Sequence, residues 1–237
     1  ADSVLNGVVA GQLGCSLLAV SCVTVAFCSN LLMIKDKTSG ARHDLAISPV
    51  RPATMAMGYY IASLSSTLII TFSAAVVCLG YLACVGWYLT VCDVLALLLD
   101  VFLLTMFGTA LSSCINFWLT TDGQASAVGT IVSAGYGFIC GAYMPISNFG
   151  SGLQKVLSFL PGTYGTSLLR NHTLRGTFAE MESLGFPKQV VEAIRNLYFF
   201  DHQVSNGQMY LILVGSIAVL VALYVVINRV AGRRGAR

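Results

Sequence analysis

Long apolar runs separated by short polar breaks set the pattern of this chain. The first run extends from about Val8 to Ile34, interrupted only by small or weakly polar side chains. After the polar stretch Lys35–Pro52 comes a second run, Thr54 to Val85. The turn Gly86-Trp87 separates it from a third, Tyr88 to Leu119, and a second turn, Thr120–Gln124, separates that from a fourth, Ala125 to Tyr143. A mixed stretch, 144–207, precedes the fifth run, Met209 to Ile227, and the basic tail 228–237. An α-helix needs about 20 apolar residues to cross a bilayer. None of the runs shows the ~10-residue alternating strands of a membrane barrel, and in hydrocarbon only helices and closed barrels satisfy the backbone. The pattern predicts an all-α polytopic transmembrane bundle of about five spans, forming a single domain over 1–237.

Composition excludes a soluble fold. Of the 237 residues 56% are hydrophobic and 10% charged, where a soluble domain carries roughly 25% charged residues. A compact fold of this size could not hide so much apolar surface from water, so the solvent is lipid. The net charge of +3 is too small to imply nucleic acid. Its distribution says more. The clusters Lys35/Lys37/Arg42/Arg51 and Arg229/Arg233/Arg234/Arg237 hold eight of the 13 Lys and Arg residues. With five spans both fall on one side, which the positive-inside rule makes the cytoplasm. The five basic residues of 144–207 count little, because that loop is about 60 residues long.

The first span then runs from outside to inside. Nothing positive precedes it, so it does not read as a signal peptide, and a further span ahead of it is expected. Within 144–207, Leu153, Val156, Leu157 and Leu160 repeat at helical spacing. So do Val190, Val191, Ile194, Leu197 and Tyr198, just after Pro187. Both predict short amphipathic helices, lying at the interface or re-entering the membrane's outer half, or else packing into a small outer cap.

The eight cysteines form no C-x-x-C pair and read as small buried hydrophobes. The chain contains no G-x-x-x-x-G-K-[ST] phosphate loop, no H-E-x-x-H zinc helix and no G-x-S-x-G elbow. His43, His172 and His202 are spread over separate loops. Asp93 and Asp100 lie in the third run, seven residues apart on one helix face. Asp93, beside Trp87 and Tyr88, is expected to reach water. Asp100 lies about 10–18 Å deeper. Intramembrane carboxylates are costly and point to function: Asp100 either lines a substrate path or dimer seam, or bonds a neighbouring hydroxyl inside the bundle. Gly129, Ser133, Gly137 and Gly141 give small-xxx-small spacing in the fourth run, as Gly7 and Gly11 do in the first. Such spacing predicts close helix approach.

The polar stretch reads KDKTSGARHDLAISPVRP. Ser39 to Ile47 can form one short helix, which Ser48-Pro49 stops, a shape suited to docking a partner. The pattern Asp36-Lys37-x-x-Gly40, then Leu45-x-x-Ser48-Pro49-Val50-x-Pro52, resembles the coupling-helix loop of type-2 ATP-binding cassette (ABC) exporter permeases. That family usually has Glu where this chain has Asp36. Gly141-Ala142-Tyr143-Met144-Pro145, Leu160-Pro161 and Leu168-Leu169-Arg170 resemble the end of the family's fifth span and its outer re-entrant segment. The resemblance implies six spans in the full subunit, alternating access and export of substrate from a bacterial cell membrane. It also implies a second permease, identical or not, and a partner ATPase that binds ATP and Mg, with no cofactor on this chain. Coupling would fall to Gly40, Arg42, Asp44, Leu45, Pro49 and Arg51, with Arg42 and Arg51 meeting acidic groups and Leu45 an apolar groove. By the same resemblance the first span lies at the dimer interface and cavity wall. A non-transporting membrane anchor, or an enzyme using Asp93 and Asp100, are the alternatives.

Overall fold

A computed structural model describes residues 2–41, 44–45, 50–144, 146–183, 185, 198–199 and 202–235. The first run forms α1 (Asp2–Ser29) and, after a single turn at Asn30, α2 (Leu31–Thr38). The second and third form α3 (Pro52–Val85) and α4 (Val91–Asn116), the fourth α5 (Asp122–Ile139). The mixed stretch contributes a 3-10 turn (Ile146–Asn148), α6 (Ser151–Leu157), α7 (Pro161–Thr173), α8 (Arg175–Ser183) and a two-residue hairpin pairing β1 (Tyr198–Phe199) with β2 (His202–Gln203). The last helix is α9 (Asn206–Gly235).

Local chemistry places the breaks. Pro52 sits at the first turn of α3, after an extended Arg51, where a missing N–H costs nothing. Thr90 caps α4 through a reciprocal box with Asp93. The Thr121 side chain accepts from the Gln124 N–H at the start of α5.

Among the described residues, four helical segments are long and apolar enough to cross a membrane: Val4–Thr38, Pro52–Val85, Val91–Asn116 and Asn206–Ala231. The α5 helix is not among them. It has 18 residues, with Asp122 in its first turn and Gln124 beside it, near the ~17-residue lower limit for a span. The fourth of the five expected crossings therefore rests on the shortest of the five long helices.

The α4 helix is the axis of the bundle. It packs on α1, α3, α7 and α9, and Leu97, Val101, Leu104 and Ala110 along it are fully buried. At Gly108 a Cβ would stand 3.1 Å from the Cys22 carbonyl oxygen and the Val23 Cα, so the bare glycine sets how closely α1 and α4 approach. Polar side chains tie the same seam. Asn30 Nδ2 donates to Ser113 Oγ at 3.1 Å, to the Thr109 carbonyl at 3.3 Å and to Ser112 Oγ. The outward faces are apolar instead: Ile69, Val77, Leu211 and Val219 are each at least two-thirds exposed, as a lipid-facing surface requires.

The helices α4 and α9 run parallel, since Asp100 meets Tyr210 and Cys114 meets the Leu220 carbonyl. Tyr224 reaches Met33 at 3.5 Å. Hence the end of α1, the described residues of the 35–51 loop, the end of α4 and the end of α9 share one end of the bundle, which carries Lys35, Lys37, Arg51 and Arg229. The α3–α4 turn and the α7–α8 segment share the other.

Several expectations change. Leu160 is not on the helix of Leu153, Val156 and Leu157: α6 ends at Leu157, and Leu160 precedes Pro161 at the start of α7. Tyr198 lies on a strand paired with Gln203; Val190, Val191, Ile194 and Leu197 fall outside the described residues. Gly7 and Gly11 do allow close approach, but within the chain. A Cβ on Gly7 would meet the Tyr88 ring at 3.0 Å, and one on Gly11 would meet Leu174 at 2.5 Å.

Candidate functional site: a hydroxyl-lined cavity and the basic-end loop

A cavity of about 520 Å³ lies between α1 and α5. Thr24, Phe27 and Cys28 line it from α1, and Ser126, Gly129, Thr130 and Ser133 from α5; Tyr143 lies at the opposite end from the basic loop. Gly129 and Ser133 of α5 do something other than expected. A Cβ on Gly129 would meet nothing within 4 Å, so this face of α5 leaves space instead of drawing a neighbour in. The walls are apolar with a few hydroxyls, the usual make-up of a ligand pocket. The Thr24 hydroxyl oxygen is buried and has no hydrogen-bond partner among the described residues.

At the basic end, α2 is fastened to its neighbours. Lys37 Nζ donates to the carbonyls of Asn116, Phe117 and Leu119 at 3.1, 2.6 and 2.9 Å. It also stands 5.4 Å from the centroid of the Phe117 ring. These carbonyls close α4, whose C-terminal dipole favours a cation there. Asp36 accepts a 2.8 Å hydrogen bond from the Tyr59 hydroxyl on α3. Gly40 adopts φ +85°, the left-handed region that turns the chain sharply. Beyond it Ala41, Asp44 and Leu45 are helical, within the expected Ser39–Ile47 helix. Arg42, His43 and 46–49, Pro49 among them, lie outside the described residues. Leu45 and Val50 are nearly half exposed, and with Leu32, Met55 and Tyr59 they border an apolar recess of about 320 Å³. Arg51 is exposed beside it.

The two carboxylates sit elsewhere. Asp93 is buried, contrary to its expected exposure to water, because it belongs to a cap. Its Oδ2 accepts from the Thr90 N–H at 3.1 Å and the Thr90 hydroxyl at 2.6 Å, and its Oδ1 pairs with Arg175 at 3.2 Å. Asp100 is buried too. Its Oδ2 shares a 2.5 Å hydrogen bond with His172 Nδ1 on α7, and its Oδ1 accepts from the Tyr210 hydroxyl on α9 at 2.6 Å. A bond to a bundle hydroxyl was one of the two readings of Asp100; neither carboxylate lines the α1–α5 cavity. His172 escaped the sequence reading because its partner is 72 residues away. The available signal was Asp100 itself, which needs a polar partner at that depth and has few to choose from.

Arg170, on α7, is buried at 4% exposure. Its Nη2 donates to the Gly141 carbonyl, just past α5. Among the described residues no group of three or more His, Cys, Asp or Glu side chains is placed to hold a metal ion.

Comparison with known proteins adds one finding. A sequence model of the family described as ABC-2 family transporter protein matches residues 2–228. No curated protein matches the chain.

Proposed function

The chain belongs to the ABC-2 transporter family, and we propose that it exports substrate by alternating access through the α1–α5 cavity, driven by a partner ATPase docked on the 35–52 loop. Membership alone makes it a multi-pass membrane permease subunit that works with an ABC ATPase. The finer reading adds direction, coupling site, assembly and place. Gly40, Arg42, Asp44, Leu45, Pro49 and Arg51 meet the ATPase, and ATP and Mg bind there and not here. A second permease, identical or not, completes the path. The basic end and the C-terminus face the cytoplasm of a bacterial cell, 144–207 faces outside, and 1–237 acts as one domain. Asp100 and Asp93 serve the helix bundle in this reading, and the path runs past Thr24, Gly129 and Tyr143.

One observation carries it. The loop and the cavity share a wall, since α2 continues α1 and Lys37 clamps α2 to the end of α4. A push on the exposed side chains of Leu45 and Val50 is therefore delivered to α1 and α4 together. Lys37→Met keeps the stem and removes the clamp. In the complex with its ATPase, Cys28, which is exposed and lines the cavity, should react with a soluble thiol reagent at rates that differ with and without ATP. In Lys37→Met the ATP dependence should vanish while hydrolysis continues. Preserved ATP dependence in the variant would remove Lys37 from the transmission route.

A further inference from the structure

The α5 helix ends in a turn that doubles back over its own cavity. Gly141 adopts φ +71°, and the Tyr143 N–H returns to the Gly137 carbonyl at 3.0 Å. The Tyr143 ring packs against Gly137, where a Cβ would stand 2.1 Å from Cε2. It meets Phe138 edge-on at 5.2 Å. Every other residue lining the cavity is on α1, α2 or α5. Tyr143 is thus the ring that closes the cavity at the end away from the ATPase.

Two groups on other helices hold this turn by its carbonyls. Arg170 Nη2 on α7 donates to the Gly141 carbonyl, and Ser16 Oγ on α1 donates to the Ala142 carbonyl. The arginine is costly where it is. It is buried, its Nε has no hydrogen-bond partner, and among the described residues the two buried carboxylates, Asp100 and Asp93, are taken by His172 and Arg175. What offsets its charge is the negative C-terminal end of α5. A buried cation at this depth defaults to a functional role. The helix that carries it is a fixed platform. Leu168 and Leu169 are fully buried, Tyr136 holds the Gly162 carbonyl at 3.2 Å, and His172 holds Asp100. The turn is the lighter partner: Tyr143 and Met144 are more than a third exposed.

We propose that Arg170 is a positioning residue that grips the Gly141–Tyr143 turn as an outer lid on the α1–α5 cavity, and that loss of this grip opens the cavity outward. The proposal rests on the exporter reading, which gives the cavity an outer side. Cys28 reports on it without any ATPase. The chain is reconstituted in proteoliposomes with Cys84 and Cys92, both exposed near the outer end, replaced by serine. A membrane-impermeant maleimide is then added from either side. In Arg170→Gln the outer-side reaction of Cys28 should rise about tenfold, the equivalent of one charge-assisted hydrogen bond. Arg170→Lys, which keeps a cation on the carbonyl, should return it towards wild type. Tyr143→Ala, which leaves α7 untouched, should give the same rise as Arg170→Gln. Reaction from the inner side should be unchanged in all three, and a general loosening of the fold would raise both. A wild-type outer rate in Arg170→Gln or in Tyr143→Ala overturns the lid, as does an equal rise from both sides. Because no ATP is present, these outcomes stand apart from any failure of ATP-driven transport.

Discussion

Asp100→Ala should be among the most destabilising single substitutions in the bundle. It removes two hydrogen bonds, to His172 and to Tyr210. Each is worth ~0.6–1.7 kcal/mol inside a membrane protein. The larger part is what remains behind: a buried imidazole and a phenol without their partner, at ~1–3 kcal/mol for each group left unsatisfied. Together these set a loss of roughly 3 kcal/mol or more. Three helices meet at this carboxylate, so the loss should also loosen α7 from α4 and α9. Asp100→Asn keeps an oxygen towards Tyr210 and should lose about half as much. Denaturant unfolding of the chain in detergent measures both. Equal stability of wild type and Asp100→Ala would remove the cluster as a structural tie and return Asp100 to the substrate path.

Gly129→Trp should abolish transport and leave the fold intact. A Cβ at Gly129 meets no atom within 4 Å, and the cavity beyond it holds about 520 Å³, enough for an indole. Replacing glycine inside a helix by tryptophan also removes part of glycine's intrinsic penalty, which is about 0.8–1.0 kcal/mol relative to alanine. The indole would fill the space between Thr24 and Ser126. Cys28 should then become unreactive to thiol reagents, and any ATP-dependent flux should fall to background. Unfolding of the variant should match wild type. A variant with normal flux would show that substrate passes elsewhere.

The spans were legible because each is one long apolar run, and their boundaries because Pro52, Thr90 and Thr121 are local signals that need no tertiary context. The small residues of α5 were visible but ambiguous. Glycine and serine at spacing four permit either contact or space, and the choice depends on what α1 presents opposite them. Gly7 and Gly11 took the other option for the same reason, because Tyr88 and Leu174 were there to meet them. Asp93 misled because a Thr-x-x-Asp cap beside Trp87 looks, in one dimension, like a carboxylate at the water line. The pairs His172–Asp100 and Arg170–Gly141 join positions 72 and 29 residues apart, and no local pattern encodes them. The Asp36–Arg51 stretch showed its shape at Gly40 and Leu45, while the clamp by Lys37 became visible only once the end of α4 stood beside it.

The most direct measurement is ATP hydrolysis by the full-length permease co-purified with candidate ATPase subunits, for wild type and for Leu45→Asp. Leu45 is nearly half exposed beside an apolar recess, so a carboxylate there should disturb docking without disturbing the bundle. The account predicts a stable wild-type complex that hydrolyses ATP, and a Leu45→Asp permease that folds normally but releases the ATPase or no longer couples to it. A wild-type permease that retains no ATPase, or a Leu45→Asp complex that hydrolyses ATP and couples as wild type does, would contradict it.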